Sequence, residues 1–513
     1  MKNIIFKILI LSSVLFAFNC EKYLTEEPQT DFYNDQIFSS EDAVESAVTG
    51  MYIQFSSFDY HGSGVPNLLL PMSGKFWSSQ NANVDATSLN CTPSNINLNK
   101  LWAGMYRTIN TCNVVIANLE NSTVDLTNKD SSLGQAYLLR AITYFDMVRL
   151  WGGVPLKTEP STSNTLFIPR NTREEVYNLV IADLELAKQY LPNIGEYNGS
   201  RPAKPVANAY LAKVYMTLAT LDGTNDMAMW QNAYNEAIQV YGQYALVPTY
   251  QELFDVNNEN SSESMFEIQY TINGGTRSSD LIRMFNPNGI YANLNTFGRI
   301  RPNKEVFDQH VNQYTEQDPR VDVTFYYGSY TKANGSNQNL YPTITNNNNG
   351  FACIKKYTDP YYNGTTTERN FFKLRYADVL LMLAEITNEL NGPTSEAYGY
   401  VNEVLARART KPDGSQAAQP ADWSGLSQEA FRARIMRERQ FELLAEGHSW
   451  FDTRRRGYEY FLQEVIETHN NQPNLGNKDY IYPVSVKNML MPIPSDEINN
   501  NYVISEADQN PGY

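Results

Sequence analysis

Three glutamates recur at a spacing of four residues near the carboxyl end of the chain: Glu438, Glu442 and Glu446. On a helix this spacing places the three carboxylates along one face. Two suitably separated carboxylates can hydrolyse a glycosidic bond, so a glycoside hydrolase is one hypothesis. Arginines lie nearby in sequence, and structural ion pairs are far more common than catalytic carboxylates, so an ion network is favoured. The nearby arginines are Arg437, Arg439, Arg454, Arg455 and Arg456, and His448 belongs to the same segment.

Trp77 is the first candidate for ligand binding, because it lies in a segment rich in Asn and Asp (residues 74–85, GKFWSSQNANVD). A flat aromatic ring can stack on the C–H face of a sugar, while amide and carboxylate groups bind its hydroxyls. The polar neighbours are Asn81, Asn83 and Asp85. The alternative interpretation is a loop tryptophan that packs onto the scaffold.

Other aromatic residues could complete such a platform. Tyr60 and His61 lie in the same region as Trp77, and a second group lies farther along the chain. The second group comprises Tyr291, Phe297, Tyr326, Tyr327 and Tyr330. For each residue the alternative is local packing, because loop aromatics also pack against their own surroundings. By contrast, Trp102, Trp151 and Trp450 lie on or beside predicted helices and are expected in the core.

The charge of the chain limits its partners. The chain of 513 residues contains 40 Lys and Arg and 56 Asp and Glu, so its net charge is −16. An acidic surface repels phosphate backbones and other anionic polymers, so nucleic acid is not expected as a partner. The same charge favours a neutral glycan over a sulfated or uronate-rich one, and a β-glucan is the specific hypothesis.

The cysteines and motifs indicate no cofactor and no metal. Cys20, Cys91, Cys112 and Cys353 lack the short spacing of a zinc or redox site. A disulfide bond between Cys91 and Cys112 is possible, but the sequence alone does not decide whether it forms. No Gly-rich phosphate loop, nucleophile elbow or His-Glu-x-x-His motif occurs.

Residues 1–19 have the pattern of a secretory signal peptide. Lys2 and Lys7 precede an apolar run over residues 8–18, and Cys20 follows directly. The run is too short to span a hydrocarbon core of about 30 Å, and no other stretch of 18 apolar residues occurs. The rest of the chain is therefore expected to be soluble.

Apolar residues recur at helical spacing along most of the chain. Ser40, followed by Glu41 and Asp42, predicts a helix start, and this helix runs to about Phe55. Thr172 predicts another start with a capping box, leading to a stop at Leu191. Further helices are predicted over residues 101–119, around 138–145, and over 206–218, 230–241, 372–390, 395–409 and 428–446. Small residues such as Ala212 and Ala233 resemble the tetratricopeptide signature, in which paired helices approach closely.

Two stretches differ from this helical pattern. Residues 56–97 are rich in Gly, Ser, Asn and Pro, which predicts a long loop region that serves binding. Between residues 256 and 371, Asn, Gly, Thr and Tyr dominate, and residues 265–270 are typical of a strand. The sequence therefore predicts a mainly α fold with a loop-rich inserted lobe that carries short strands.

An ordered series of segments resembles the SusD/RagB family of outer-membrane glycan-binding lipoproteins. The segments include CEKYLTEEP (residues 20–28), LWAGMYRTIN (101–110), LRAITYFDMVRLWGGVPL (139–156), RYADVLLMLAE (375–385), ERQFELLAEGHSWFDTRRRG (438–457), MPIP (491–494) and QNPGY (509–513). The likeness covers nearly the whole chain after the signal peptide, except residues 274–349, which do not align.

The resemblance implies a SusD-like fold over residues 20–513, with tetratricopeptide-like helix hairpins as the scaffold. Within it we expect an amino-terminal helical part (about 20–255), a variable insertion (about 256–371) and a carboxy-terminal helical part (about 372–513). Because Cys20 ends the signal peptide as in a bacterial lipobox, it is expected to carry a lipid anchor.

The resemblance also implies a function without catalysis. A protein of this family captures oligosaccharides at the surface of a Gram-negative cell and delivers them to a SusC-like TonB-dependent porin in the outer membrane. The alternatives are a tetratricopeptide-like protein-interaction scaffold that binds no glycan, and the glycoside hydrolase considered above.

Overall fold

Helices form most of the frame of the protein. The computed structural model describes residues 38–79, 83–196, 200–271, 279–364 and 367–513. Its helices are α1 (Glu41–Phe55), α2 (Leu70–Met72), α3 (Val84–Thr87), α4 (Ile96–Glu120), α5 (Lys129–Trp151), α6 (Arg173–Tyr190), α7 (Lys204–Ala219), α8 (Met227–Ala237), α9 (Tyr250–Leu253), α10 (Leu281–Phe285), α11 (Lys304–Val311), α12 (Arg320–Thr324), α13 (Tyr376–Asn391), α14 (Ser395–Ala408), α15 (Gln428–Glu442), α16 (Ser449–Arg455), α17 (Tyr458–Phe461), α18 (Thr468–Asn470) and α19 (Ser495–Asn500). The predicted mainly α fold is confirmed.

The strands are short and pair two by two, always antiparallel. They are β1 (Phe76–Ser78), β2 (Ser264–Ile268), β3 (Ile300–Pro302), β4 (Phe325–Tyr326), β5 (Ser329–Thr331), β6 (Asn337–Asn339), β7 (Cys353–Ile354) and β8 (Phe371–Arg375). The pairs are β1 with β3, β2 with β8, β4 with β7, and β5 with β6. The β2–β8 pair lies at the base of the inserted lobe, since these two strands carry the chain into and out of it.

The predicted helix starts are confirmed by their caps. Ser40 Oγ accepts a hydrogen bond from the Ala43 N–H at 3.3 Å. Thr172 Oγ1 accepts from the Glu175 N–H at 3.2 Å, while the Glu175 carboxylate accepts from the Thr172 N–H at 2.7 Å. These bonds satisfy backbone donors that the first turn of a helix leaves unpaired.

Several predicted helix boundaries are wrong; the helix predicted over 230–241, for example, spans Met227–Ala237. Residues 371–375 are strand β8 and not the first turns of a helix, because their backbone pairs with β2; the helix begins at Tyr376. Helix α15 ends at Glu442, four residues earlier than predicted. Ala445 and Gly447, with φ angles of 66° and 84°, turn the chain away, so Glu446 lies beyond the helix.

The predicted loop region over residues 56–97 is also more ordered than expected. Two π-helical turns (Phe58–Gly62 and Val65–Leu69), α2, β1 and α3 occupy most of its described part. Leu68, Leu70 and Phe76 are fully buried there. The apolar residues among the Gly, Ser and Asn therefore anchor this stretch to the core.

The core extends through the scaffold into the inserted lobe. Trp102, Trp151 and Trp450 are buried in it, as predicted. Cys91, Cys112 and Cys353 are buried free thiols, so Cys91 and Cys112 are not bridged. Within the described ranges, none of the helices combines the length and the hydropathy needed to cross a membrane.

The three regularly spaced glutamates lie in a buried ion network, as the sequence analysis favoured. An Arg320 guanidinium nitrogen contacts Glu438 at 2.5 Å and Glu442 at 2.9 Å. Arg375 contacts Glu442 and Glu446, each at 2.7 Å. All five side chains are almost completely buried. Two more bases extend the network. Lys356 contacts Glu446, and Arg407 contacts both Glu263 and Glu442.

The expected arginine partners were wrong. Arg439 pairs with Asp378 and Asp452, and Arg455 pairs with Glu385. The true arginine partners come from α12, β8 and α14, which lie outside this segment of the chain. Sequence proximity could not identify them, because the tertiary fold decides which buried charges meet.

The network keeps the central carboxylate ionised. Burial alone would raise the pKa of Glu442, but Arg407, Arg375 and Arg320 together outweigh burial and hold this pKa well below its usual range. Removal of one basic partner would leave a buried charge without compensation, which is much more costly than losing a surface pair.

Arg375→Met is therefore expected to lower the free energy of unfolding by about 3–5 kcal/mol. The matched control is Arg437→Met on the exposed side of α15, where the side chain is 51% exposed and lies 3.7 Å from Glu464. We expect this control to change stability by less than about 0.5 kcal/mol. Urea unfolding followed by circular dichroism measures both, and equal losses would contradict a stabilising role of the network.

Candidate ligand-binding face

Strand pairing brings the segment of Trp77 against the inserted lobe. In the β1–β3 ladder, Trp77 lies opposite Arg301. Just beyond the ladder, the Ser79 N–H donates to the Arg299 carbonyl at 3.0 Å. The two regions that the sequence analysis singled out separately are therefore neighbours.

Trp77 itself is packed inside this junction. Its side chain stacks on Phe351, with ring centroids 4.3 Å apart and planes 11° from parallel. The indole N–H donates to the Lys478 carbonyl at 2.8 Å, and the residue is only 4% exposed. The structure therefore favours the packing alternative for Trp77, since stacking on a ligand would require the contact with Phe351 to open.

The polar neighbours of Trp77 hold their own loop. Asn83 is buried, and its amide oxygen accepts from Asn97 at 2.5 Å. The Asp85 carboxylate accepts from Asn95 at 2.7 Å and from the Thr92 N–H at 3.2 Å. Asn81, like the proposed anchor Cys20, lies outside the described residues.

Tyr60 and His61 lie below the surface, each 1% exposed. The Tyr60 hydroxyl donates to Asp146 at 3.0 Å, and Nδ1 of His61 lies 2.6 Å from the Phe55 carbonyl. Burial, and then the Lys373 ammonium, hold the pKa of His61 well below its usual range, so the ring is neutral. The structure does not bring these two residues to the surface of the inserted lobe.

Tyr291 and Phe297 are half-buried, and Tyr291 lies against residues 359–364. The Asp359 N–H donates to the Tyr291 hydroxyl at 3.1 Å, and the rings of Tyr291 and Tyr362 are 5.3 Å apart. The Tyr362 hydroxyl donates to the Asn295 carbonyl at 3.0 Å. These contacts fix the two segments against each other.

Within residues 359–364, Tyr361 is 70% exposed, which makes it the most exposed aromatic side chain in the described part of the inserted lobe. Its N–H donates to Asp359 at 2.8 Å, so the backbone is fixed while the ring stays free. Gly364 closes the turn with a φ of 99°, and a Cβ there would lie 3.0 Å from Leu294. We call Tyr291, Phe297 and Tyr361 the aromatic face. Tyr361 was not among the residues predicted from the sequence, although two tyrosines in a Pro-Tyr-Tyr-Asn-Gly turn were a usable signal.

Arginines supply hydrogen-bond donors beside this face. The guanidinium carbon of Arg299 lies 4.1 Å from the Phe297 ring centroid, and that of Arg283 lies 5.1 Å away. Arg283 pairs with Asp280 at 3.1 Å, and its Nε is buried without a partner among the described residues. Burial raises the pKa of Asp280, and Arg283 only partly offsets it. Aromatic surface and guanidinium groups therefore occur together at Phe297.

Tyr326 and Tyr330 are held by local contacts. The Tyr326 hydroxyl lies 3.1 Å from Thr358 Oγ1. The Tyr330 hydroxyl donates to the Asn288 carbonyl at 2.7 Å, and its ring packs with Leu340 and Cys353. Tyr326 borders the segment that carries Tyr361, whereas Tyr330 stabilises the interior of the lobe. Tyr327 packs on Phe307, with ring centroids 5.3 Å apart.

No metal chemistry is indicated in the part of the chain that the structure describes. It contains no group of three or more His, Cys, Asp or Glu side chains arranged to hold a metal ion. What the aromatic face can do is bind a ligand that presents both apolar C–H surface and hydroxyl groups.

Two family models match the chain. One, described as starch-binding associating with the outer membrane, matches residues 22–216. The other is the SusD family model and matches residues 211–513, more than half of the chain. The chain belongs to the SusD family.

Relatives of this family member match over nearly their full length. SusD-like protein P2 of Formosa agariphila is 28% identical, with 99% of both chains covered. A structure crystallised with a xylogluco-oligosaccharide has a TM-score of 0.74 at 21% identity, covering 90% of this chain and 98% of the other. A laminarin-binding SusD-like protein has a TM-score of 0.69 at 21% identity, covering 93% of this chain and 100% of the other. The two structures establish a shared fold.

Because the Trp77 ring is buried, Trp77→Ala is expected to destabilise the protein by about 3–5 kcal/mol, the usual cost of removing a core tryptophan. Trp77→Phe keeps a ring on Phe351 and loses mainly the hydrogen bond to Lys478, so it should cost less. Urea unfolding measures both variants. An unchanged stability of Trp77→Ala would show that the ring is not packed as described.

Asp146 gives a prediction for acid stability. Burial alone would raise its pKa, but Lys373 and Arg149 outweigh burial and lower the pKa to about 2. Its contribution is therefore complete above the unfolded pKa of about 4 and is lost as the pH falls towards 2. Between pH 5 and pH 2, Asp146→Asn should lose about 2 kcal/mol less stability than the unmodified protein. Urea titrations across this range test the slope, and superimposable slopes would contradict the assignment.

Proposed function

We propose that the chain is a non-catalytic glycan receptor. The exposed ring of Tyr361, together with the Phe297 ring that the guanidinium groups of Arg283 and Arg299 flank, carries this proposal. A sugar presents a C–H face that stacks on such a ring and hydroxyls that accept from arginine. Membership of a family with glycan-binding relatives supports the same function.

The ligand is proposed to be a neutral glycan, with a β-glucan as the first class to test. Relatives with the same fold include one crystallised with a xylogluco-oligosaccharide and one that binds laminarin. The net charge of −16 is consistent with a ligand that carries no anionic groups.

Glycoside hydrolysis receives little support from the carboxylates that first suggested it. Glu438, Glu442 and Glu446 are buried and bonded to arginine or lysine. A general acid or nucleophile must reach the scissile bond, and these groups do not reach the surface.

The receptor is proposed to act on the outer membrane, at the cell surface. A lipid anchor on Cys20 and delivery to a SusC-like TonB-dependent porin complete the proposal. The family model described as associating with the outer membrane supports the location. The lipobox-like end of the signal peptide supports the anchor.

A protein-binding role is compatible with glycan capture, and one surface favours it. Ile481, Val484 and Val486 are each between 63% and 67% exposed within six residues of chain. Clustered exposed apolar side chains are typical of protein interfaces. The proposed porin would be one partner for such a surface. A scaffold that binds no glycan would use this surface and not the aromatic face.

The glycan proposal predicts a specific loss in one variant. Tyr361→Ala should weaken binding by about 1–2 kcal/mol, or roughly five- to thirtyfold, because it removes the stacking ring at the centre of the site. Affinity electrophoresis against a panel that includes laminarin and xyloglucan identifies the ligand, and calorimetry with its oligosaccharides measures the change.

The matched control is Tyr502→Ala, because Tyr502 is 78% exposed and lies near Phe167, away from the aromatic face. It should bind like the unmodified protein. Binding to no glycan in the panel would refute the receptor, and equal losses in both variants would refute the site. Release of reducing ends during incubation would instead identify a hydrolase.

A further inference from the structure

A cleft lined in part by Thr358 lies near the segment that carries Tyr361. It has a volume of about 670 Å³. Its walls are α9, α12, the segment 355–358 and the turn at residues 410–413. No residue of the aromatic face lines it, so it is a separate concavity.

The lining of this cleft suits a neutral, hydroxyl-rich ligand. Lys355 and Lys411 face Asp322 and Asp413, so the two signs of charge balance. Lys356 also lines the cleft, but Glu446 compensates its charge at 2.9 Å. Neither an anion nor a cation is favoured in such a site, because each would meet a like charge.

Several polar groups in the cleft are available to a ligand. The side chains of Gln251 and Lys411 are exposed and make no hydrogen bond to other described residues. Asp322 uses one carboxylate oxygen to accept from the Tyr327 hydroxyl, which leaves the other oxygen free within the described structure. Tyr250 and Phe254 supply apolar ring surface on the floor. Amide, ammonium, carboxylate and aromatic groups together are what a sugar requires.

One short segment of chain, residues 358–361, connects the cleft to the aromatic face. Thr358 lines the cleft, and its hydroxyl contacts Tyr326. The next residue, Asp359, donates its N–H to Tyr291, and Tyr361 carries the exposed ring. Since three residues span at most about 11 Å, the cleft and Tyr361 lie within reach of one oligosaccharide.

We propose that this cleft is a second subsite for the glycan that the aromatic face captures. The inference rests on the proposed function. A short oligosaccharide occupies the aromatic face alone, while a longer chain crosses the ridge at residues 358–361 and enters the cleft. Occupation of both sites by one chain raises the affinity for polymer without strengthening either site.

The test separates the two sites by ligand length. The double variant Gln251→Ala/Lys411→Ala removes two free groups from the cleft, and both positions are exposed, so folding is preserved. Its affinity for laminarin or xyloglucan, whichever the unmodified protein binds, should fall about tenfold, as expected when a linked second site is lost. Its affinity for a disaccharide or trisaccharide of the same glycan should stay within about twofold.

The matched control is Gln231→Ala/Lys100→Ala, an exposed pair that does not line the cleft. It should bind both ligands normally. An unchanged polymer affinity in the cleft variant, or equal losses for short and long ligands, would overturn the second subsite while Tyr361→Ala still reports on the first. Absence of glycan binding by the unmodified protein would overturn both proposals.

Discussion

The buried pairing of Arg320 and Arg375 with the glutamates of α15 is the interaction on which the rest of the structure depends. Arg320 lies in the inserted lobe, and Arg375 ends the strand through which the chain leaves that lobe. Both reach Glu442, which belongs to the carboxy-terminal scaffold. Since an unpaired charge inside a protein is very costly, the lobe and the scaffold can pack closely only in the arrangement that pairs these groups. A buried network of this kind selects one arrangement among several compact ones.

The surface of the inserted lobe follows from that constraint. The same lobe is closed by the β2–β8 pair at its base and joined to the Trp77 segment by the β1–β3 pair. Because the Trp77 ring stacks on Phe351 and is shielded from solvent, it fixes the position of the lobe. Tyr361 then lies on a short turn whose backbone is bonded to Asp359. Because the backbone that carries this exposed ring is already fixed, little backbone freedom is lost when a sugar stacks on the ring, which favours binding.

The sequence predicted the frame better than the site. Helix periodicity and caps such as Thr172 are local signals, so the helices were found with errors mainly at their ends. The strand at residues 371–375 was missed because its apolar residues also fit a buried helix, and only the partner strand decides between them. Trp77, Tyr60 and His61 were predicted from residue type and from their position in a predicted loop, yet burial depends on tertiary contacts that neither reveals. Tyr361 was overlooked for the same reason, since the sequence does not say which of many tyrosines remains exposed.

A crystal structure with a bound oligosaccharide of the preferred glycan tests the central claim most directly, because it locates the sugar relative to the fixed lobe. The account predicts a sugar ring stacked on Tyr361, with hydroxyls within hydrogen-bond distance of Arg283 or Arg299, and the contact between Trp77 and Phe351 retained. A sugar bound elsewhere, with Tyr361 free and Trp77 swung out to meet it, would contradict the account.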